Sequence, residues 1–311
     1  MTAELFPSTL PIMDTLGGSG PGRAWLDGLP QTVARMRARW SLDLQAPFHG
    51  GSCSWVAPAS LPDGLPVVLK ISWPHREAAG EAEALRLWDG HRAVRLLRED
   101  SEHHALLLER CDPGHPLGSA HHLSAEERLL AGAEILRELW RVPVPKPTGL
   151  EQLADVTTEW AGLAGERMER LRPGFDAGLV AYGIRLLREL PATASREVVV
   201  HGDFNAGNVV AASRRPWLAI DAKPMIGDPG YDPWPLLEEI DDPFAHTEPH
   251  RVLAGRFALM ADALGEDVGR LQAWGIARRV ETALYVANDG NIPGALGVMG
   301  EARVLADLLG I

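Results

Sequence analysis

Eight consecutive residues, His201 to Asn208 in "HGDFNAGN", concentrate one imidazole, one carboxylate and two amides directly behind Val198, Val199 and Val200. Three β-branched residues read as a short, covered strand. The polar groups therefore stand where a strand ends. Gly and Asn form turns, and Val209 and Val210 return the chain to apolar character, so a tight loop between rigid segments is predicted. Such a loop can hold reacting groups to within a fraction of an ångström. Asp203 precedes Asn208 by five residues, and a second carboxylate, Asp221, closes the apolar run "WLAID" thirteen residues further on. A carboxylate that orients a hydroxyl and takes its proton, with amide and carboxylate oxygens for a divalent cation, is the set that phosphoryl transfer requires. Upstream, Lys70 in "VVLKI" would aim one ammonium from an apolar strand toward the same chemistry.

The elements that must position these groups follow from periodicity. Residues 47–73 alternate like strands around Pro62-Asp63-Gly64, a hairpin signal. "HREAAGEAEALRLWDG" is rich in Ala, Glu and Leu and reads as one helix closed by Gly90. "AVRLLRED" and "HALLLER" read as further strands, which makes residues 1–110 mostly β with one embedded helix. Beyond residue 111 the period changes. Ser124 and Glu127 form a capping-box pattern, and Leu129, Leu130, Ala133, Leu136, Leu139 and Trp140 recur at helical spacing. Further helices are predicted at about 150–170, 175–190, 249–264, 267–288 and 298–309. The expectation is an α+β chain in two parts: residues 1–110 as a small β-rich lobe and 111–311 as a larger, mainly helical one.

Composition bounds the partners. The 311 residues are 46% hydrophobic and 23% charged, ordinary values for a folded globular chain. A formal net charge of −12 opposes binding to nucleic acid and suits a cationic small molecule. No apolar run approaches the roughly 18 residues of a membrane span, and the first residues lack a basic, apolar leader pattern. The expected location is the cytoplasm, with no membrane partner. Cys53 and Cys111 lie far apart without metal-ligand spacing, as reduced packing residues do.

From "GRAWLDGLP" through "VVLKIS", "EALRLWDG", "AVRLL", "LLLER" and "HGDFNAGNVV" to "PWLAIDAKPMIGDPGYDPWPLL", the chain resembles the aminoglycoside phosphotransferases, in particular the streptomycin 6-phosphotransferase and hydroxyurea-resistance kinase branch. The resemblance implies a protein-kinase-like bilobal fold using ATP and Mg²⁺. Asp203 would be the catalytic base, Asn208 and Asp221 the magnesium ligands, and Lys70 the contact to the α- and β-phosphates. A glutamate on the following helix should orient Lys70. Glu81 shares a face with Leu85 and Trp88 and is the first choice; Glu77 is the alternative, and Glu83 is expected in solvent. Backbone N–H groups of Gly51, Ser52 and Cys53 occupy the place of a phosphate loop without its glycine pattern. "LLLER" matches the connector between lobes, whose backbone around Glu109 to Cys111 would hold adenine.

The chain also departs from its relatives. Asn205 stands where many carry His, and "DAK" replaces Asp-Phe-Gly after Asp221, so no mobile Phe switch is expected. His201 is expected to bond backbone near Asp221, and Asp228 and Asp232 to cap turns and helices. The acceptor site is expected beside the Asp203 loop. Its candidates are Trp234, Glu238, Glu239, Asp241 and Asp242 in "WPLLEEIDDPF", and Trp274, Glu281, Tyr285 and Asp289 in a late helix. Trp274, Glu281 and Tyr285 share a helical face that could place a carboxylate between two rings for a guanidinium group. The same spacing also fits a core face on which Glu281 pairs with Arg278. The predicted activity is phosphorylation of a hydroxyl on a streptomycin-type aminoglycoside, conferring resistance. Hydroxyurea, a peptide antibiotic or a metabolic sugar or amino alcohol are alternative acceptors. A non-catalytic nucleotide-binding module is a further class, which the filled positions 70, 203, 208 and 221 oppose.

Overall fold

A computed structural model describes residues 4–311. The chain divides into two compact units, residues 1–114 with 212–216, and residues 115–211 with 217–311. The division thus falls at 114, and a short hairpin tip from the second half of the sequence groups with the first unit.

The first unit opens with two helices, α1 (Pro11–Gly17) and α2 (Gly20–Trp40). The expectation of one embedded helix in the first 110 residues is corrected here. Ser19 caps α2 by accepting from the Gly22 N–H, and Leu29, Val33, Met36 and Trp40 line one buried face at spacings of four, three and four. Strands β1 (Asp43–Leu44), β2 (Ser54–Ser60) and β3 (Pro66–Ser72) follow, then α3 (Glu81–Trp88), β4 (Leu96–Asp100) and β5 (Ala105–Glu109). They form one antiparallel sheet in the order β1-β2-β3-β5-β4. The β2–β3 hairpin turns at Gly64, whose φ is +85°, with the Leu65 N–H donating to Asp63 Oδ1. The predicted helix over 75–90 is shorter than expected: a 3₁₀ turn at Arg76–Ala78 precedes α3, and Gly80, a poor helix former, lies between them. Alternate β3 side chains Val67, Leu69 and Ile71 join Leu29, Val33 and Met36 in the core. Lys70, one residue out of phase, is thereby turned to the opposite face.

Strand β6 (Pro113–Pro116) spans the division. The second unit holds α4 (Ala125–Leu139), β7 (Glu151–Gln152), α5 (Leu153–Leu171), α6 (Ala177–Ala192), β8 (Val198–Val200), β9 (Val209–Ala212), β10 (Trp217–Ala219) and β11 (Met225–Gly227). Helices α7 (Pro233–Glu239), α8 (Pro249–Leu264), α9 (Val268–Asn288) and α10 (Ile292–Leu308) complete it. Ser124 and Glu127 make the predicted capping box on α4. Helix α9 packs against α5, α6, α8 and α10, burying Trp274, Ile276, Val280 and Leu284. Helix α10 begins six residues earlier than expected, because Asn291 caps it and Pro293 suits a first turn. Two small sheets interrupt the helices, one ordered β10-β9-β6 and the other β7-β11-β8. The strand entering the His201 loop therefore pairs not with the strand leaving it but with β11, Met225 opposite Val200. No helix among the described residues is long and apolar enough to cross a membrane.

Candidate active site

The loop from His201 to Asn208 hangs between two sheets, and buried hydrogen bonds fix its shape. Asp232, 1% exposed, accepts from the His201 N–H at 2.8 Å, the Gly202 N–H at 2.9 Å and Trp140 Nε1 at 3.0 Å. The expected helix cap is corrected here: Asp232 precedes α7 but its side chain makes no cap bond and ties down the loop instead, while burial pushes its carboxyl up and these donors hold it in place. His201 is fully buried, and burial lowers its imidazole pKa. Its Nδ1 lies 3.4 Å from the Asp203 N–H, which places the ring proton on Nε2, 3.1 Å from the Ile220 carbonyl. Gly202 has a φ of +83°, and a Cβ there would lie 1.8 Å from the Lys223 carbonyl oxygen. The glycine is required by the crossing of two backbones.

Asp203 is partly exposed, its carboxylate surrounded by donors. Oδ1 accepts from Asn205 Nδ2 at 3.2 Å, and Oδ2 from Asn208 Nδ2 at 3.2 Å and Lys223 Nζ at 2.5 Å. Asn208 Nδ2 also donates to the Asp203 carbonyl at 3.0 Å, so the amide nitrogen faces Asp203 and Oδ1 is the atom Asn208 can offer a cation. Asp221 follows β10 at a φ of +56°, an uncommon conformation for a residue other than glycine. Its loop is tied to the first by Ile220 N–H to Asn208 O at 2.9 Å and Lys223 N–H to His201 O at 2.8 Å. Asn208 offers an amide oxygen and Asp221 a carboxylate on adjacent, cross-tied loops, both hard donors of the kind Mg²⁺ takes.

In the first unit, Lys70 and Glu81 form a buried ion pair, Nζ to Oε2 2.6 Å, with side chains 7% and 3% exposed. Glu77 is exposed and lies 4.0 Å from His75, so Glu81 is the partner. Glu83, expected in solvent, is half-buried. Removing one member of such a buried pair costs about 3–5 kcal/mol, which marks it as a fixed feature of this unit. Gly51, at a φ of +88°, and Ser52 are exposed just before β2, and Cys53 is half-buried with its carbonyl accepting from the Trp73 N–H. Glu109, at the start of the expected connector, is engaged within its own unit. Its N–H goes to the Arg95 carbonyl and its carboxylate receives Arg214 Nε at 2.8 Å and Nη2 at 2.9 Å. Against the desolvation of partial burial, these donors hold its carboxyl below the usual range. Cys111 follows two residues later, its thiol pushed up to about 12 by burial and kept protonated.

The aromatic acceptor candidates are corrected. Trp234 stacks on Phe257 inside the core, and Trp274 is fully buried with Nε1 donating to Asp228 Oδ2 at 2.5 Å. Glu281 pairs with Arg167 at 3.1 Å, while Arg278 lies 4.4 Å over the Tyr231 ring. Tyr285 is exposed but carries the same Arg167 over its ring. The α9 face therefore presents no carboxylate between two open rings. Glu238 instead opens on a cleft of about 570 Å³ with Glu239, Asp242, Glu301 and Arg279, floored by Ala206 and Gly207 of the Asp203 loop. Glu239 Oε2 accepts the Ala206 N–H at 3.0 Å, and Arg279 bridges Glu238 at 2.6 Å and Glu301 at 3.0 Å. Asp241 is held by Arg256 and His246. Glu301, sixty-two residues from Glu239, carried no local signal; only packing of α10 on α9 brings it here.

A β unit with a buried Lys–Glu pair, followed by a helical unit carrying His-Gly-Asp and a strand-end Asp, defines a small-molecule kinase of the protein-kinase-like fold. Choline kinase LicA from Streptococcus pneumoniae superposes with a TM-score of 0.62 at 14% identity, covering 90% of this chain and 99% of that one. Residues 39–290 match the aminoglycoside/hydroxyurea antibiotic resistance kinase family, and the chain belongs to it. It is 37% identical to a streptomycin 6-kinase of Streptomyces glaucescens, covering 87% of both chains. It is 34% identical to a hydroxyurea phosphotransferase of Kitasatospora aureofaciens, covering 92% of this chain and 81% of the other.

Proposed function

We propose that this kinase transfers the γ-phosphoryl group of ATP to a hydroxyl of a streptomycin-type aminoglycoside. The observation that carries the choice of acceptor is the cleft beside the Asp203 loop, where four carboxylates face one arginine. A polycationic sugar is recognised by such a surface through charge-assisted hydrogen bonds. In this reading Asp203 receives the acceptor hydroxyl and takes its proton as the new P–O bond forms. Asn205 and Asn208 hold the carboxylate in position for that hydroxyl. Lys70, oriented by Glu81, contacts the nucleotide phosphates, with the Gly51–Cys53 backbone beside it and the chain near Cys111 against the base. Asn208 Oδ1 and Asp221 would hold Mg²⁺, which supplies charge neutralisation on the phosphates when bound. Hydroxyurea is the second reading, favoured by the identity to the Kitasatospora enzyme. It is small and neutral and makes no use of four carboxylates.

The two readings separate in one assay. Purified protein with Mg-ATP is given streptomycin or hydroxyurea; ADP release is followed, and mass spectrometry reports the gain of one phosphoryl group. Streptomycin is expected to be modified. ADP release with hydroxyurea alone would transfer the assignment to the second reading, and release with neither would remove both acceptors.

A further inference from the structure

Only three of the 30 basic residues in this chain are lysines, at positions 70, 146 and 223. Lys70 is the phosphate-facing candidate of the first unit. Lys223 lies two residues after Asp221, with its ammonium on Asp203 Oδ2 at 2.5 Å. For a static pair with a carboxylate, arginine is the better partner, because its planar fork bonds both oxygens and it is more weakly hydrated. Among the described residues arginine makes most of the pairs with carboxylates, Arg270–Asp228, Arg167–Glu281 and Arg279–Glu238 among them, and Arg214 bonds both oxygens of Glu109. A compact ammonium on a pivoting four-carbon stem at position 223 suits a charge that changes partner.

The surroundings of Lys223 are built for such a change. Its backbone is fixed: the N–H donates to the His201 carbonyl at 2.8 Å, and its own carbonyl lies where only a glycine at 202 leaves room. Pro224 and β11 follow at once. Its side chain, by contrast, is about one-third exposed at 35%. The ammonium thus starts from a fixed Cα on the loop that presents Asp221 and reaches across to the Asp203 carboxylate, and its tip can swing. While it rests on Oδ2, it occupies one of the two oxygens an incoming hydroxyl would use. The γ-phosphoryl group has to pass between those same two loops, with negative charge spread over its three equatorial oxygens.

We propose that Lys223 is a catalytic residue that moves from Asp203 onto the transferring phosphoryl group; the proposal rests on the ATP-dependent reading above. As the bond from the γ-phosphorus to the ADP oxygen breaks and the bond to the acceptor oxygen forms, the hydroxyl proton passes to Asp203. Lys223 stays protonated and contacts the phosphoryl oxygens. Resting on Asp203, it keeps the carboxylate paired until nucleotide arrives, so one cation serves both states.

An ATP derivative with a reactive acyl group on its terminal phosphate tests this on the wild-type protein, because amines near the phosphates take the acyl group and release ATP. Peptide mapping has only three lysines to resolve. Lys70 and Lys223 are expected to be acylated, with Mg-ATP protecting both, and Lys146 to remain unmodified. Acylation of Lys70 without Lys223 would overturn the proposal alone; no protectable acylation anywhere would overturn the nucleotide reading and the proposal with it. In Lys223→Met, kcat should fall about 10²-fold, the scale of losing one preorganised charge contact in the transition state, with both KM values within about threefold of wild type. The extra thermal stabilisation that aluminium fluoride adds to the Mg-ADP complex should also be lost, and Lys223→Arg should recover part of kcat. A change confined to the acceptor KM, or an unchanged or higher kcat, would refute the role. If Lys223→Met does not fold, Lys223→Gln is judged by the same criteria.

Discussion

Asp203 and Glu238 carry opposite demands on a carboxylate. Asp203 accepts from three side-chain donors, and in the proposed reading it also meets the acceptor hydroxyl, so Asp203→Asn keeps the shape and would remove the proposed base. Its kcat is expected to fall by about 10²-fold or more while Mg-ATP still raises the melting temperature; near-normal turnover would remove it as the base. Glu238 is 19% exposed, and burial pushes its carboxyl up to about 7, with Glu239 and Glu301 adding to the rise and Arg279 and Arg278 opposing it. As pH rises from about 6 to 8, Glu238 changes from mostly protonated to mostly charged. Attraction for a cationic acceptor should grow over that window, so the streptomycin KM should fall with rising pH, and in Glu238→Gln this dependence should flatten. A mutant profile parallel to wild type would take Glu238 out of the acceptor site.

At the scale of elements, the loops from 201 to 208 and from 220 to 224 behave as one piece, because β8 pairs with β11 and the backbones cross at Gly202. Gly202→Ala is strained at its φ of +83° and drives a Cβ into the Lys223 carbonyl. Its expected cost is about 2–4 kcal/mol, read as a clear fall in melting temperature together with lost turnover. Gly207→Ala is the control: its Cβ would meet only the Asn205 side chain, at 3.2 Å, and its melting temperature should stay near wild type. Comparable destabilisation of the two variants would show that the crossing does not hold the loop.

Over the whole molecule the net charge of −12 favours a cationic acceptor at long range, and the cleft concentrates that field. Raising salt from about 50 to 500 mM shortens the screening distance severalfold, so the streptomycin KM should rise several-fold while any turnover of neutral hydroxyurea stays level. Equal salt responses for both acceptors would place recognition outside the acidic cleft.

The sequence alone located the His201–Asn208 loop at the end of a short strand, Asp221 just after another, and Lys70 within a third. These groups lie in or at the ends of short elements whose apolar patterns are local, and their residue types are specific. The hairpin at Gly64 and the α4 capping box were legible for the same reason: a turn or cap is decided within a few residues. The face of α2 was also written in Leu29, Val33, Met36 and Trp40, but strand-like runs downstream drew the reading toward β. Only the tertiary structure decided that Glu81 rather than Glu77 meets Lys70, that Trp234 and Trp274 lie inside, and that Glu301 joins Glu238 and Glu239. Helical spacing reports that residues share a face, whereas which neighbour covers that face, or leaves it open to a ligand, depends on helices brought together from distant parts of the chain.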